Sequence, residues 1–420
     1  MQSRKMRLMT KAICLFAFAI PIRLTAQHTQ YTVTDIGTLG GTFSLAGGIN
    51  NEGDIEGFST LPGDTAVHAF LWQKGLMTDL GTLGGLNSLA SWRPNERAEV
   101  GGDAETSTPD PLGEDFCAFG THLICPPSIW QKGVPIPLPT LGGNNGFATG
   151  VNSRGEVVGQ AENSTPDPTC EAPQVLQVKP VVWEMGRVQE LPLLIGDSGG
   201  IALTINDRGQ VAGIAGNCAT AFHALLWENG TVTDLGSLGG TEKSTFASDM
   251  NNQGQVAGSS NLPGDAAFHA FRWENRVMTD LGTLPGDVSS IGDGINNKGQ
   301  VVGASLDIDG NSRAVIWANG MMIDLNTLIP ADSPLFLIEA TGTNNSRGQV
   351  AGIALEKNSG EIHAFLLTPS NSKFASASPT LAARGETNPK VVLPANARKM
   401  LRERLAKPYL RGGFGSRTLK

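Results

Sequence analysis

The sequence predicts an all-β fold: a seven-bladed β-propeller of four-stranded blades, closed by its own N-terminal strand. Three observations predict it. The phrase I-N-x-x-G-x-V-x-G recurs, with its Asn at Asn50, Asn95, Asn152, Asn206, Asn251, Asn296 and Asn345. These anchors are 45 to 57 residues apart, a period that signals a repeat architecture. A second phrase, H-A-F-L-W, follows each anchor and ends at Trp72, Trp130, Trp183, Trp227, Trp273, Trp317 and Leu367. Finally, the chain opens with a D-L-G-T-L-G-G-like strand that has no partner before it, and its last repeat lacks that strand. An open solenoid would leave both ends unpaired, whereas a closed ring removes the exposed edges.

Each repeat divides into four strand-sized pieces, a to d. In the first they are Leu45–Asn50, Asp54–Ser59, His68–Trp72 and Leu76–Leu80. The Asn50–Gly53 link between a and b is a tight turn, because Asn and Gly accept positive φ. Gln73-Lys74-Gly75 does the same between c and d. Strand c is apolar at nearly every position and must be covered on both faces. A small sheet packed between copies of itself is a propeller blade. The orphan strand beginning at Tyr31 then supplies strand d of the seventh blade.

Outside the repeats lie two segments of different character. Residues 1–26 carry five basic and no acidic side chains around the apolar run Ala12–Ile20, the pattern of a signal peptide cleaved after Ala26. Residues 371–420 carry 11 basic and 2 acidic side chains, and they read as a basic, disordered tail with one short helix over Ala395–Ala406. The propeller body, 27–370, holds 15 basic and 37 acidic residues. So acidic a body repels nucleic acid and anionic lipid. No apolar run approaches the ~18–20 residues of a transmembrane helix. The signal places the protein outside the cell or in the periplasm. Four cysteines remain after its removal, and in an exported chain they predict two disulfides. Of three connectivities, Cys117 with Cys125 and Cys170 with Cys218 is preferred, since the first pair closes a short loop.

The phrases D-L-G-T-L-G-G, G-I-N-N-x-G and H-A-F-L-W resemble those of the HAF-repeat family of extracellular bacterial repeat proteins. The resemblance covers residues 31–367. It implies an exported repeat protein and no assigned reaction. Blades two and three depart from the pattern, with Pro126 and Lys179 where His is expected.

Those two blades also carry long inserts between b and c, Asp103–Pro127 and Gln160–Lys179. Both contain Ser-Thr-Pro-Asp-Pro and cysteine, and their acids include Glu105, Asp110, Glu114, Asp115, Glu162, Asp167 and Glu171. Insertions in one or two repeats often mark a binding face, so these acids are the candidate ligand-binding residues. Asp307, Asp309 and Asn311 have D-x-D-x-N calcium-loop spacing, but the position of the bidentate Glu is Ala318. A plain turn is the preferred reading there. No cofactor is expected, and calcium at this loop is the one candidate.

Other residues read as structural. His68, His223, His269 and His363 share one blade position, and equivalent positions in stacked sheets lie ~10 Å apart, too far for one ion. Gly196–Gly200 resembles the nucleophile segment of trypsin-like proteases, but no His stands in the context such a triad needs. Trp92 is assigned to core or channel lining. The function expected is a non-enzymatic binding or surface module that presents the acidic inserts to an extracellular protein or polysaccharide. The alternative is a secreted polysaccharide hydrolase or lyase built on paired carboxylates.

Overall fold

The computed structural model describes residues 30–370 apart from 91, 219–221 and 241–243, together with 392–394 and 398. The signal peptide assigned to 1–26 lies outside the described residues, as does most of the tail.

Seven four-stranded antiparallel sheets form a ring. Blade one is Ser44–Ile49, Ile55–Thr60, Val67–Gln73 and Leu76–Asp79, within two residues of the sequence-based boundaries at each end. Blade seven takes a, b and c from Leu335–Thr343, Val350–Glu356 and Ile362–Pro369. Its fourth strand is Tyr31–Gly37, paired antiparallel from Tyr31 opposite Pro369 to Gly37 opposite Ala364. The ring is therefore clasped by the two ends of the propeller sequence, as the orphan strand predicts.

Strand c is buried through Ala69, Phe70, Leu71 and Trp72, with a neighbouring blade against each face. Strands a and b meet at a bulge, between Ala46 and Gly48 in blade one. The bulge brings backbone so close that a Cβ on Gly57 would lie 1.8 Å from the Leu45 carbonyl oxygen. The same glycine in the other six blades would place its Cβ 1.9–2.1 Å from the corresponding oxygen. That contact explains why the repeated phrase ends in Gly.

The anchor asparagines do more than turn the chain. Asn206 Oδ1 accepts from the backbone N–H groups of Arg208 and Gln210 at 3.0 and 3.1 Å, which fixes the a–b turn. Its Nδ2 donates to the Gln210 side chain at 2.7 Å and to the Asn251 carbonyl of the next blade at 3.1 Å. Asn50, Asn95, Asn152 and Asn251 repeat the link to the following blade. Asn344 closes it onto the Asn50 carbonyl at 3.2 Å. The seventh anchor is thus Asn344 and not Asn345. The last turn holds one extra residue, so Asn344 pairs with Gln349 five positions on, while Asn345 receives the Asn297 N–H.

The other repeated polar residues also stitch the ring. His68, His269 and His363 pair through Nδ1 with Asp79, Asp280 and Asp35 on strand d of the same blade at 2.8–3.0 Å. The same aspartates accept the N–H of the glycine two residues on, which explains D-L-G and its D-I-G form at the opening strand. The Trp130, Trp183, Trp227 and Trp317 indoles donate to a carbonyl at the end of the preceding blade's strand d, at 2.6–2.8 Å.

Replacing Asn206 with Ala removes one acceptor from two backbone N–H groups and one donor from the Asn251 carbonyl. Leaving such buried groups unmatched costs about 1–3 kcal/mol each. The expected loss is roughly 3 kcal/mol or more, read as a lower urea midpoint at unchanged m-value. Asp207→Ala, one residue outward at the exposed rim, should cost less than ~1 kcal/mol.

Candidate functional site

The b–c and d–a links emerge on one face of the ring, and the a–b and c–d turns on the other. The inserts of blades two and three rise together from the first face. Blade two leaves strand b at Thr106 and starts c at Pro127. Blade three extends b to Pro166 and starts c at Leu176. Each insert is pinned by a disulfide. Cys117–Cys125 closes a loop within the first, and Cys170–Cys218 ties the second to blade four. This is the connectivity preferred from the sequence.

The acids do not line an open surface. Glu105, Asp110, Glu114, Glu162 and Asp167 are all buried; Asp115 is half-buried and Glu171 is exposed. Their oxygens hold the inserts in place. Glu105 accepts from the Asn87 backbone and side chain at 3.0 and 2.8 Å and from the Thr121 hydroxyl. Asp110 caps its own turn through Leu112 and Glu114 N–H and takes Asn145 Nδ2 at 3.0 Å. Asp115 accepts the Gly120 N–H. Asp167 takes the Thr169 N–H and the Ser198 hydroxyl, both at 2.9 Å. The expectation that these acids are displayed to a partner is corrected accordingly for the five buried ones: a carboxylate leaves water only where donors meet it, and the inserts supply those donors.

Two carboxylates converge. Glu114 Oε1 accepts the N–H groups of Val175 and Leu176 at 2.7 and 2.9 Å, joining the first insert to the second. Glu162 accepts the Asn145 N–H at 2.9 Å. Gln174 Nε2 lies between the two, 3.1 Å from Glu114 and 2.9 Å from Glu162. Burial, and then the charge of Glu114, push Glu162 up to about 7. Glu162 therefore still holds a proton part of the time near neutrality. In an open cleft that would suit acid–base chemistry, but both side chains are wholly buried here.

Other sequence candidates take structural places. Asp307 Oδ1 accepts the N–H groups of Asp309 and Asn311, both at 2.9 Å, so the calcium-loop spacing builds an Asx turn. Ser198 belongs to the blade-four loop. The side-chain groups Asp103 with Cys117 and Cys125, and Asp167 with Cys170 and Cys218, cluster tightly, but their sulfurs are bonded to each other. Trp92 packs edge-on against Phe147 in the core, with ring centroids 5.7 Å apart.

Three features near the axis were not read from the sequence. Glu56, wholly buried on strand b of blade one, accepts the Trp92 N–H at 2.6 Å, and burial holds its carboxyl well above the ordinary range. Arg93 reaches across to the Met250 carbonyl at 3.2 Å, from blade two to blade five. Together they close the turn-side funnel rimmed by Asn51, Glu96, Asp207 and Asn297. The one sequence signal was W-R-P before Asn95, where no other anchor is preceded by an aromatic, a basic residue or a proline. The third feature is Leu393 of the tail, seated on the loop face.

No family model matches the chain, and no curated protein matches it. Solved structures do. The β-propeller domain of the Trilobed protease from Pyrococcus furiosus is 12% identical over 67% of this chain and 81% of that one, with a TM-score of 0.43. A puromycin-hydrolyzing peptidase of Mycobacterium tuberculosis is 13% identical over 81% of this chain, which spans 56% of the peptidase, with a TM-score of 0.48. An oligogalacturonate lyase from Vibrio parahaemolyticus is 10% identical over 81% of this chain and 94% of the lyase, also at 0.48. The matches are propellers, as the ring itself is. Among the described residues no helix is long and apolar enough to cross a membrane.

The raised carboxyl has a signed consequence. Below the ordinary carboxylic pKa of ~4.5 both folded and unfolded states hold the Glu162 proton, and pH has no effect through this group. Between there and about 7, the folded chain keeps the proton and the unfolded chain loses it. Stability contributed by this group therefore falls as pH rises across that window. Melting of Glu162→Gln, relative to the native chain, should improve from pH 5 to about 7 and level off above that. A constant difference between the two would show that Glu162 titrates normally.

Proposed function

We propose that this chain is an exported, non-enzymatic binding module whose loop face meets a protein or polysaccharide outside the cytoplasm. The carrying observation is that the buried carboxylates of both inserts are spent on amides of the inserts and of the strands beneath them. That use makes a rigid platform and leaves Glu114 and Glu162 no contact with solvent or substrate. On the first insert Leu112 stays 48% exposed beside these pinned loops. The two disulfides and the apolar leader support export, as does the resemblance to HAF-repeat proteins. Membership of that family is part of the proposal.

Thermal unfolding of the full chain against a panel of soluble polysaccharides, with reducing ends assayed in parallel, tests this. A ligand at 100 times its Kd adds about 2.7 kcal/mol to the folded state. The expected outcome is a raised Tm with a ligand and no turnover. Turnover that disappears in a folded Glu162→Gln variant would replace this reading with the hydrolase or lyase one.

A further inference from the structure

We infer that the loop face carries a peptide-binding pocket between blades six, seven and one, filled in cis by the chain's own C-terminal segment at Leu393. The tail is then an intrinsic competitor for the face. The inference deepens the proposed binding role and rests on it only where an external ligand is concerned; the contact in cis stands by itself.

Leu393 is 0% exposed, although it lies 23 residues beyond the last residue of the ring. Its side chain packs with Leu45, Phe336, Ile338, Leu355 and Ile362, and with half-buried Phe43 and Phe58. Its neighbour Val392 is 69% exposed. One side chain thus enters while the flanking chain stays outside, which is how an extended peptide is held by an anchor residue. The backbone is recognised as well. Leu393 N–H donates to Asn311 Oδ1 at 3.1 Å. Asn311 is buried and oriented beforehand, because its Nδ2 donates to both Asp307 oxygens at 3.2 and 3.1 Å. The D-x-D-x-N turn therefore presents an acceptor to a peptide N–H.

Charge and reach agree with this geometry. The tail has nine more basic than acidic residues, and the body has 22 more acidic than basic. The chain leaves the ring after Pro369, at the turn-side end of strand c, and reappears on the loop face at Val392. The 22 residues between Ser370 and Leu393 can span at most roughly 75 Å, ample to pass from one face to the other. Phe58 also touches the cluster that holds Cys117, Cys125 and Phe147, so the occupied pocket adjoins the insert side of the face. Among the described tail residues Leu393 is the buried one and its N–H is bonded to Asn311, an attachment that a better ligand can displace.

A fluorescent synthetic peptide of residues 386–400 is titrated against the native full chain and against full-length Leu393→Asp. A tethered occupant acts at an effective concentration on the order of millimolar. The native chain should therefore bind the peptide at least about tenfold more weakly than Leu393→Asp does. The same peptide carrying Asp in place of Leu393 should not bind, and adding Asn311→Ala to the Leu393→Asp chain should weaken binding again. A single cooperative melt for Leu393→Asp, with Tm lowered by no more than a few degrees for the lost tail contact, shows that the ring is intact. Equal binding by both chains, or binding by neither at millimolar peptide, overturns the inference. A polysaccharide that raises the Tm of both chains equally leaves the binding module standing and removes only the tail's competing role.

Discussion

The structure depends on one buried amide in each a–b turn. An asparagine side chain offers two acceptor sites and two donors, and here all four are used. Two acceptor contacts shape its own turn, one donor grips the side chain across that turn, and in six blades the other bonds a carbonyl of the next blade. An amide that spans two blades sets the angle between them. Repetition of that angle closes the ring, and the Asn344–Asn50 link joins residues 294 apart in sequence. The constraint acts at the narrow end of each blade, where strands lie closest to the axis. It also needs the strand-b glycine, since any Cβ there would hold a and b apart.

That framework changes how chemistry-bearing residues are read. Histidines and aspartates at fixed spacing suggest catalysis or metal binding when met in a sequence. In this ring each His–Asp pair joins strand c to strand d, and in the clasp it joins the last strand c to the first strand of the propeller. Hydrogen bonding to Asp35 raises the pKa of His363, so the clasp is firmest while that imidazole is protonated and loosens as pH rises through the raised value. Arg313 takes the histidine's place in blade six, 3.6 Å from Asp324 on strand d and 2.7 Å from Asp287 in the loop before strand a.

Most of the fold was legible in the sequence because each signal is local. A turn Asn, a bulge Gly and an apolar strand c lie within one repeat, and so does the missing strand at each end. The misplaced anchor, Asn345, shows the limit: matching to Gly348 hides an extra residue that only the pairing with Gln349 reveals. The acids of the inserts were legible as a cluster but not as buried groups. Their partners Asn87, Asn145 and Gln174 lie 12 to 60 residues away, and no composition or spacing records such donors. Leu393 carried no signal at all, being one apolar residue in a basic tail.

The buried acids and the seated tail bear on a single question, how a propeller face becomes selective. A loop that orders only on binding loses conformational entropy at that moment, whereas one pinned beforehand does not. Glu114 ties the first insert to the second, Glu162 braces the second through Gln174 and Asn145, and Cys170–Cys218 ties the second to blade four. The wall over blades two to four is thus formed before any ligand arrives. Across the axis the pocket of blades six, seven and one already holds a leucine and a matched N–H. One half of the face is rigid and complete; the other is complete only while the tail stays. A ligand spanning both halves must match the wall and also displace the tail. Selection then comes from the ligand's advantage over the chain's own segment, not from contact area alone.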